Sequence, residues 1–215
     1  KQAYQMLETG ARLVVTAALS AKEVGQLATK WSGRLLIVAT GFSEPDAVKF
    51  LDAGARFIVT SQVPAPAAAA YCRQGRGRVI VAGEGFEGRE IEAFLAAGAR
   101  VTVNARAGFP LLQRWAVLGR HALGVTADGL THTQAKALLA EGVRMTLFSD
   151  SLDYYLLLDA CRTARASVTV LPRAFKLAEL VALLPCSFGI FLTPGVRSSL
   201  TACLRGAFAP GGRAA

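Results

Sequence analysis

Short apolar runs alternate with amphipathic segments along most of the chain. The apolar runs are rich in Val, Ile and Leu, as in strands that are buried on both faces, and the amphipathic segments have the spacing of helices. We predict eight strands, at residues 13–17, 34–40, 57–61, 79–83, 101–104, 122–127, 145–149 and 168–172. A helix is predicted after each strand, which gives strand–helix units of about 22 residues.

Local signals fix the ends of several predicted helices. Ser20 with Glu23, and Thr131 with Gln134, have the spacing of a capping box. Pro45 falls in the first turn of a third helix, and Gly54 has the place of a glycine just beyond its last turn.

The same helix-end-to-strand sequence recurs at a fixed step. Residues 53–60 read AGARFIVT, and similar segments surround three other arginines, so that Arg12, Arg56, Arg100 and Arg144 follow one another every 44 residues. Glycines 41, 85 and 129 keep the same step. Because each repeat contains two strands and two helices, four repeats predict a (βα)8 TIM barrel, an α/β fold. The alternative is an open, doubly wound sheet, which does not need so even a period.

One segment does not fit a closed barrel. Phe188–Pro194 has the pattern of a ninth, strand-like C-terminal segment. It could pack outside the barrel, pair with another subunit, or replace a strand assigned earlier. We predict one barrel domain over residues 1–208 and a disordered, Gly/Pro-rich tail over residues 209–215.

Composition narrows the class of protein. The chain is 53% hydrophobic and carries a formal charge of +9. Its longest apolar stretch, residues 181–196, is broken by two prolines and a glycine, so we predict no membrane span. The one tight basic cluster (Arg73, Arg76 and Arg78) lacks aromatic residues on which bases could stack, so we do not expect nucleic-acid binding.

The four cysteines show neither metal-ligand spacing nor the density of a disulfide framework. We expect them to be reduced. This favours the cytoplasm or an organelle matrix over secretion, although the sequence does not identify the compartment.

Candidate chemistry lies where the predicted strands end, because (βα)8 barrels work at that face. The candidate catalytic residues are the carboxylates Glu84, Asp128 and Asp150. The candidate substrate-binding residues are Thr60, Gln62, Asn104, Arg106 and Arg173. Arginines favour a carboxylate or phosphate ligand. We expect no organic cofactor and no dedicated metal site, although carboxylates at strand ends could hold Mg²⁺.

Residues 79–104, VIVAGEGFEGREIEAFLAAGARVTVN, resemble the middle of the barrel in the KDPG/KHG aldolases, and the similarity in pattern covers residues 9–150. The resemblance implies a barrel that handles small keto acids. It also places the family's Schiff-base lysine at Val103 and its acid/base glutamate at Val15. We expect these two valines, with Val59 and Leu147, to form an apolar column facing the barrel interior.

Two functions follow from these patterns. Without the amine and the carboxylate, the favoured function is that of a catalytically degenerate aldolase-like barrel that serves as a binding or assembly subunit. The alternative is a lyase or isomerase of a small anionic 2-keto acid or sugar phosphate. The partners expected are a small anionic metabolite and either further copies of the chain or a larger complex.

Overall fold

A computed structural model describes residues 2–148, residues 159 and 162, and the segments 168–171 and 189–190. The chain divides into two compact units, Lys1–Val125 and Thr126–Ala215. The single domain over residues 1–208 and the disordered tail both stay predictions, because most of residues 149–215 lie outside the described residues.

The first unit alternates strands with helices. Its helices are α1 (Gln2–Glu8), α2 (Ala21–Trp31), α3 (Glu44–Asp52), α4 (Ala65–Gly75), α5 (Gly88–Ala96) and α6 (Phe109–Gly119). Its strands are β1 (Leu13–Val15), β2 (Leu35–Val38), β3 (Arg56–Val59), β4 (Val79–Ala82), β5 (Arg100–Asn104) and β6, which ends one residue beyond the unit (Leu123–Thr126). The α/β class is confirmed, and each strand and helix predicted in this stretch is present.

In the second unit the structure describes helix α7 (His132–Ala140) and strands β7 (Arg144–Phe148), β8 (Val168–Leu171) and β9 (Gly189–Ile190). Strands β7, β8 and β9 are neighbours and run parallel. The helices predicted at residues 176–184 and 198–205, and most of the helix predicted at 152–162, lie outside the described residues.

Helix ends use the signals expected from the sequence. Ser20 and Thr131 each form the predicted capping box. Gly54 has a φ of +91°, and Ala55 N–H donates to Phe50 O, which closes α3 in a Schellman turn. The same pair of backbone hydrogen bonds recurs after α1, α5 and α7. At the start of α5, the Glu87 backbone N–H donates to Glu90 Oε2 at 2.8 Å, a contact that the sequence analysis did not predict.

Strands β1 to β5 lie side by side in chain order, and each neighbouring pair is parallel. Right-handed crossovers between strands in this order place every connecting helix on one face of the sheet. Consecutive helices from α2 to α6 accordingly pack against one another. A doubly wound sheet carries helices on both faces, so this arrangement departs from the doubly wound alternative.

The strand residues that face the helices are the fully buried ones. Phe57 meets Tyr71 of α4, with ring centroids 6.1 Å apart, and Val59 shares that face of β3. The register aligns Val15 with Ile37, Ile37 with Phe57, Val59 with Val81 and Val81 with Val101. All of these side chains are at most 3% exposed.

The predicted interior column is therefore wrong for its described members. Val15, Val59 and Val103 belong to the helix-facing set, and Val103 lies near Ile91 of α5. The sequence could not show which face of the sheet these valines lie on, because their strands have apolar residues on both faces and therefore no apolar–polar alternation. The side chain of Leu147, the fourth member, is not described.

The other face of β1–β5, on the side away from helices α2 to α6, carries the alternate residues, and we call it the helix-free face because no described helix of this series packs there. Val14 is 63% exposed, whereas its neighbour Val15 is 3% exposed. On the sheet, Val14 aligns with Leu36, and Leu36 aligns with Arg56. In the repeat, however, the residue equivalent to Val14 is Ile58, 44 positions later. The aligned residue thus lies two positions before the equivalent one. Ile58 aligns through Ile80 with Arg100, again two residues short of the matching position. Each of the two repeats from β1 to β5 thus staggers the sheet by two residues.

Candidate functional site

A cavity of about 300 Å³ lies within the first unit where β4 and β5 end. Three residues predicted from the sequence line it: Glu84, Asn104 and Arg106. The rest of its lining is largely apolar and comes from strand ends, α5 and α6, including Phe86, Ile91, Val103, Ala107 and Trp115. A concave, mostly apolar pocket with a few polar groups is the usual form of a small-molecule site.

The polar groups are placed by the turn that follows β5. Asn104 is the last residue of the strand, and its side-chain Oδ1 accepts a hydrogen bond of 2.9 Å from the backbone N–H of Arg106. This bond caps a single 3₁₀ turn, Ala105–Ala107, from which Arg106 projects. The Asn104 side chain therefore fixes the position of the Arg106 backbone, from which the guanidinium side chain extends.

Close packing shapes the wall of the cavity beside Glu84. A Cβ atom added to Gly83 would come within 2.7 Å of Val103 Cγ1 and 3.2 Å of the Thr102 carbonyl oxygen. Glycine is thus required for β4 to end this close to β5. Glu84 follows in an exposed turn, where it forms no hydrogen bond or ion pair with the described residues.

Trp115 supplies a polar group that the sequence analysis missed. Its side chain is 2% exposed, and its indole Nε1 is buried with no hydrogen-bond partner among the described residues. Buried donors are normally paired. Trp115 is one of the lining residues of the cavity, and a ligand acceptor or a water that reached Nε1 would satisfy this donor. No sequence signal identified it, because Trp115 has the spacing of an ordinary core position of α6.

The other predicted site residues do not line this cavity. Thr60, half-buried, lies after β3, with its Oγ1 atom 3.4 Å from that of Thr40. Gln62 is exposed in the following turn. Asp128 is an exposed residue of the second unit, while Asp150 and Arg173 lie outside the described residues. The assignment of Glu84, Asp128 and Asp150 as catalytic residues stays a prediction.

No lysine or cysteine among the described residues lines this pocket. Lys22 and Lys30 are in α2, Lys49 is in α3 and Lys136 is in α7. Cys72 is fully buried in α4, and burial raises the pKa of its thiol to about 12, so the thiolate is not populated near neutral pH.

The part of the chain that the structure describes contains no group of three His, Cys, Asp or Glu side chains arranged to hold a metal ion. The Mg²⁺ hypothesis is untested, since Asp150 is outside that part. Among the described residues, no helix has the length and apolar character needed to cross a membrane.

Comparison with known proteins gives no match to a family model and none to a curated protein. Among solved structures, a candidate phosphonomutase from Burkholderia cenocepacia J2315 is 16% identical, with 90% of this chain and 100% of that chain covered and a TM-score of 0.39. Native KDPGal is 13% identical, with coverages of 90% and 93% and a TM-score of 0.41. A xylose isomerase domain protein from Planctomyces limnophilus is 8% identical, with coverages of 91% and 95% and a TM-score of 0.40. Similarity at this level assigns no function to the chain.

Proposed function

We propose that the chain is a (βα)8-type barrel that binds a small anionic metabolite in the pocket at the ends of β4 and β5, without Schiff-base chemistry. The observation that carries this proposal is one cavity lined by Arg106 and Asn104 at the strand ends, with Trp115, whose buried indole N–H has no partner among the described residues, also in its lining. Donors of this kind suit the oxygens of a carboxylate or phosphate.

The stagger of the sheet supports the barrel. A shift of two residues per repeat, continued over four repeats, amounts to the shear of about eight residues that (βα)8 barrels have. Helices confined to one face of β1–β5 agree with the same architecture, since a barrel keeps its helices outside the strands.

Val15 and Val103 face the helices and not the interior, but the expectation that aldolase chemistry is lost does not change. If Val103 and Val15 face the helices, the neighbouring helix-free positions are Thr102 or Asn104 on β5, and Val14 or Thr16 near β1. None of these side chains offers an amine for an iminium or a carboxylate for proton transfer. The proposal therefore holds whether the family's lysine and glutamate are matched to Val103 and Val15 or to the residues next to these valines.

Ligand binding can be measured through Trp115. The chain has two tryptophans, so a Trp31→Phe background leaves Trp115 as the sole indole fluorophore. We would titrate this protein with pyruvate, 2-ketoglutarate and glucose 6-phosphate. We expect at least one to change the fluorescence saturably, and Arg106→Gln to weaken that ligand about tenfold or more, because a hydrogen bond to a charged group contributes about 1.5–3 kcal/mol.

Arg73→Gln is the matched control, because Arg73 is an exposed arginine of α4 outside the pocket. It should bind the same ligand as tightly as the parent does. If none of the three compounds binds, or if Arg73→Gln and Arg106→Gln weaken binding equally, the pocket is not an anion site.

A second function, isomerase or lyase, is favoured by the position of Glu84. Its exposed carboxylate lines the same pocket as Arg106, so a bound keto acid or sugar phosphate would meet a base as well as a cation. Proton NMR in D₂O tests this. Loss of the ligand's α-proton signal with the parent protein, but not with Glu84→Gln, would establish proton abstraction. Binding without exchange would leave the binding function.

A further inference from the structure

The arginines of the repeat fall into two groups that the sequence does not separate. Arg34 and Arg78, 44 residues apart, lie just before or at the start of even-numbered strands. Arg34 donates to the Leu7 carbonyl oxygen, and Arg78 Nη1 donates to the Leu51 carbonyl oxygen at 2.6 Å. Both cap the last turn of a helix, where a positive charge is favourable. Their role is structural.

Arg12, Arg56 and Arg100 have a different environment. Arg56 and Arg100 are the first residues of β3 and β5, on the helix-free face that also carries Ile58 and Thr102, and Arg12 directly precedes β1. Arg56 and Arg100 are half-buried. None of the three forms a hydrogen bond or an ion pair through its side chain with the described residues.

Their spacing on the sheet follows from the register. Alternate strands are about 10 Å apart, and the two-residue stagger adds about 7 Å along the strand. Neighbouring arginines of the series are thus separated by roughly 12 Å at their Cα atoms, a span that two long side chains can close around one ligand. Partial burial lowers the pKa of Arg56, and the positive charges of Arg100 and Arg12 lower it further.

We propose that Arg12, Arg56 and Arg100 form an anion site on the helix-free face of β1–β5, at the ends opposite the pocket, and that it binds a small anion carrying several phosphate groups. Among the described residues no acidic side chain pairs with these three cations, and a multivalent anion would neutralise the positive charge that this leaves. Guanidinium forks match phosphate oxygens. Aliphatic and hydroxyl neighbours such as Leu36, Ile80 and Thr102 offer no surface on which a base could stack, which favours phosphate groups over nucleobases.

Repulsion among the three arginines predicts an effect of substitution on stability that differs from the effect at a structural arginine. Removal of Arg56 takes away a half-buried charge that is repelled by two neighbours. Arg56→Gln should therefore raise the thermal unfolding midpoint of the free protein, whereas Arg78→Gln should lower it by removing a helix cap. If Arg56→Gln lowers the midpoint as Arg78→Gln does, Arg56 is a structural residue and the proposal fails.

The ligand test uses the full chain with inorganic tripolyphosphate, and citrate as a multivalent carboxylate. At a concentration well above the dissociation constant, tripolyphosphate should raise the unfolding midpoint by roughly 5 °C or more. Arg56→Gln and Arg100→Gln should abolish most of this shift, and Arg56→Lys should retain part of it because the charge remains but the fork is lost. Arg73→Gln should respond like the parent.

The proposal is overturned if the parent shows no shift, if citrate shifts it as much as tripolyphosphate, or if Arg73→Gln loses the response as well. Arg106→Gln should respond to tripolyphosphate like the parent. The test is thereby independent of the pocket at the other ends of the strands, and either site can fail without the other.

Discussion

At the scale of single residues, the sequence could not show that the indole N–H of Trp115 is buried without a hydrogen-bond partner among the described residues. An unpaired buried donor costs about 1–3 kcal/mol, and the smaller Phe side chain would remove it at the expense of some packing. We expect Trp115→Phe to change the free energy of unfolding by less than about 1 kcal/mol, with both effects included. Urea denaturation measures this.

Leu112→Ala provides the comparison, since Leu112 is a fully buried neighbour on the same helix. It should cost about 2–5 kcal/mol, the usual range for a large-to-small change in a core. If Trp115→Phe is as costly as Leu112→Ala, the N–H is satisfied or the indole acts mainly by packing, and the support that it lends to a ligand site disappears.

Single residues also show where sequence reasoning was sufficient. Glu84, Asn104 and Arg106 could be found because each lies at or just after the end of a strand, and parallel strands end on one edge. Trp115 could not, because which side of α6 meets the strand ends depends on how α5 and α6 pack. Val103 was assigned to the wrong face for a related reason, since apolar residues occupy both faces of its strand.

At the scale of elements, caps set the helix ends, and one cap depends on pH. Hydrogen bonds from the Ser20 hydroxyl and backbone N–H lower the pKa of Glu23 below its ordinary value of 4.5. A carboxyl whose folded-state pKa is lowered contributes stability above its unfolded pKa, and that contribution is lost as the pH falls through the folded value. We therefore expect the capping box of α2 to weaken below about pH 4.5.

The measurement compares the parent with Glu23→Gln in urea between pH 3 and pH 7. The parent should be the more stable of the two near neutral pH, and the difference should shrink toward the acidic end. Glu141→Gln, an exposed change at the end of α7, serves as the control for general charge effects. A difference that does not vary with pH would show that the charge of Glu23 plays no part in the cap.

Helix-to-strand turns were the elements most accessible from the sequence. The glycines at positions 10, 54, 98 and 142 all have positive φ, between +79° and +93°, a region that favours glycine. Each is followed by the same backbone hydrogen bonds. A local sequence requirement of this kind can be read without knowledge of the packing, which is why the strand starts were predicted closely.

At the scale of the whole molecule, none of the lysines among the described residues lies near the strand ends, and this makes a chemical prediction. Incubation with pyruvate and borohydride, followed by intact mass measurement, should yield no covalent pyruvyl adduct, because Lys22, Lys30, Lys49 and Lys136 are all in helices. A known class I aldolase treated in parallel verifies the trapping. An adduct would restore the aldolase function and identify the reactive lysine by peptide mapping.

Assembly with further copies of the chain, the other expectation of the sequence, can be tested on α6. Leu111 and Leu118 are seven residues apart, hence on one side of this helix, and are 41% and 52% exposed. If the chain is a homo-oligomer that uses this side, Leu118→Lys should lower the mass measured by light scattering. Gln113→Lys adds the same charge elsewhere on α6 and should not. A monomeric parent protein would exclude self-assembly.

Over residues 2–148 the sequence by itself determined the elements and their order, because caps, turn glycines and apolar runs act over a few residues, and it displayed the 44-residue period. The register, the two-residue stagger and the confinement of the helices to one face came only from the tertiary structure, since they depend on contacts between strands far apart in the chain. The same holds for the arginines. Arg12, Arg34, Arg56 and Arg78 look alike in sequence, but packing turns two of them onto helix ends and leaves the other two on the helix-free face.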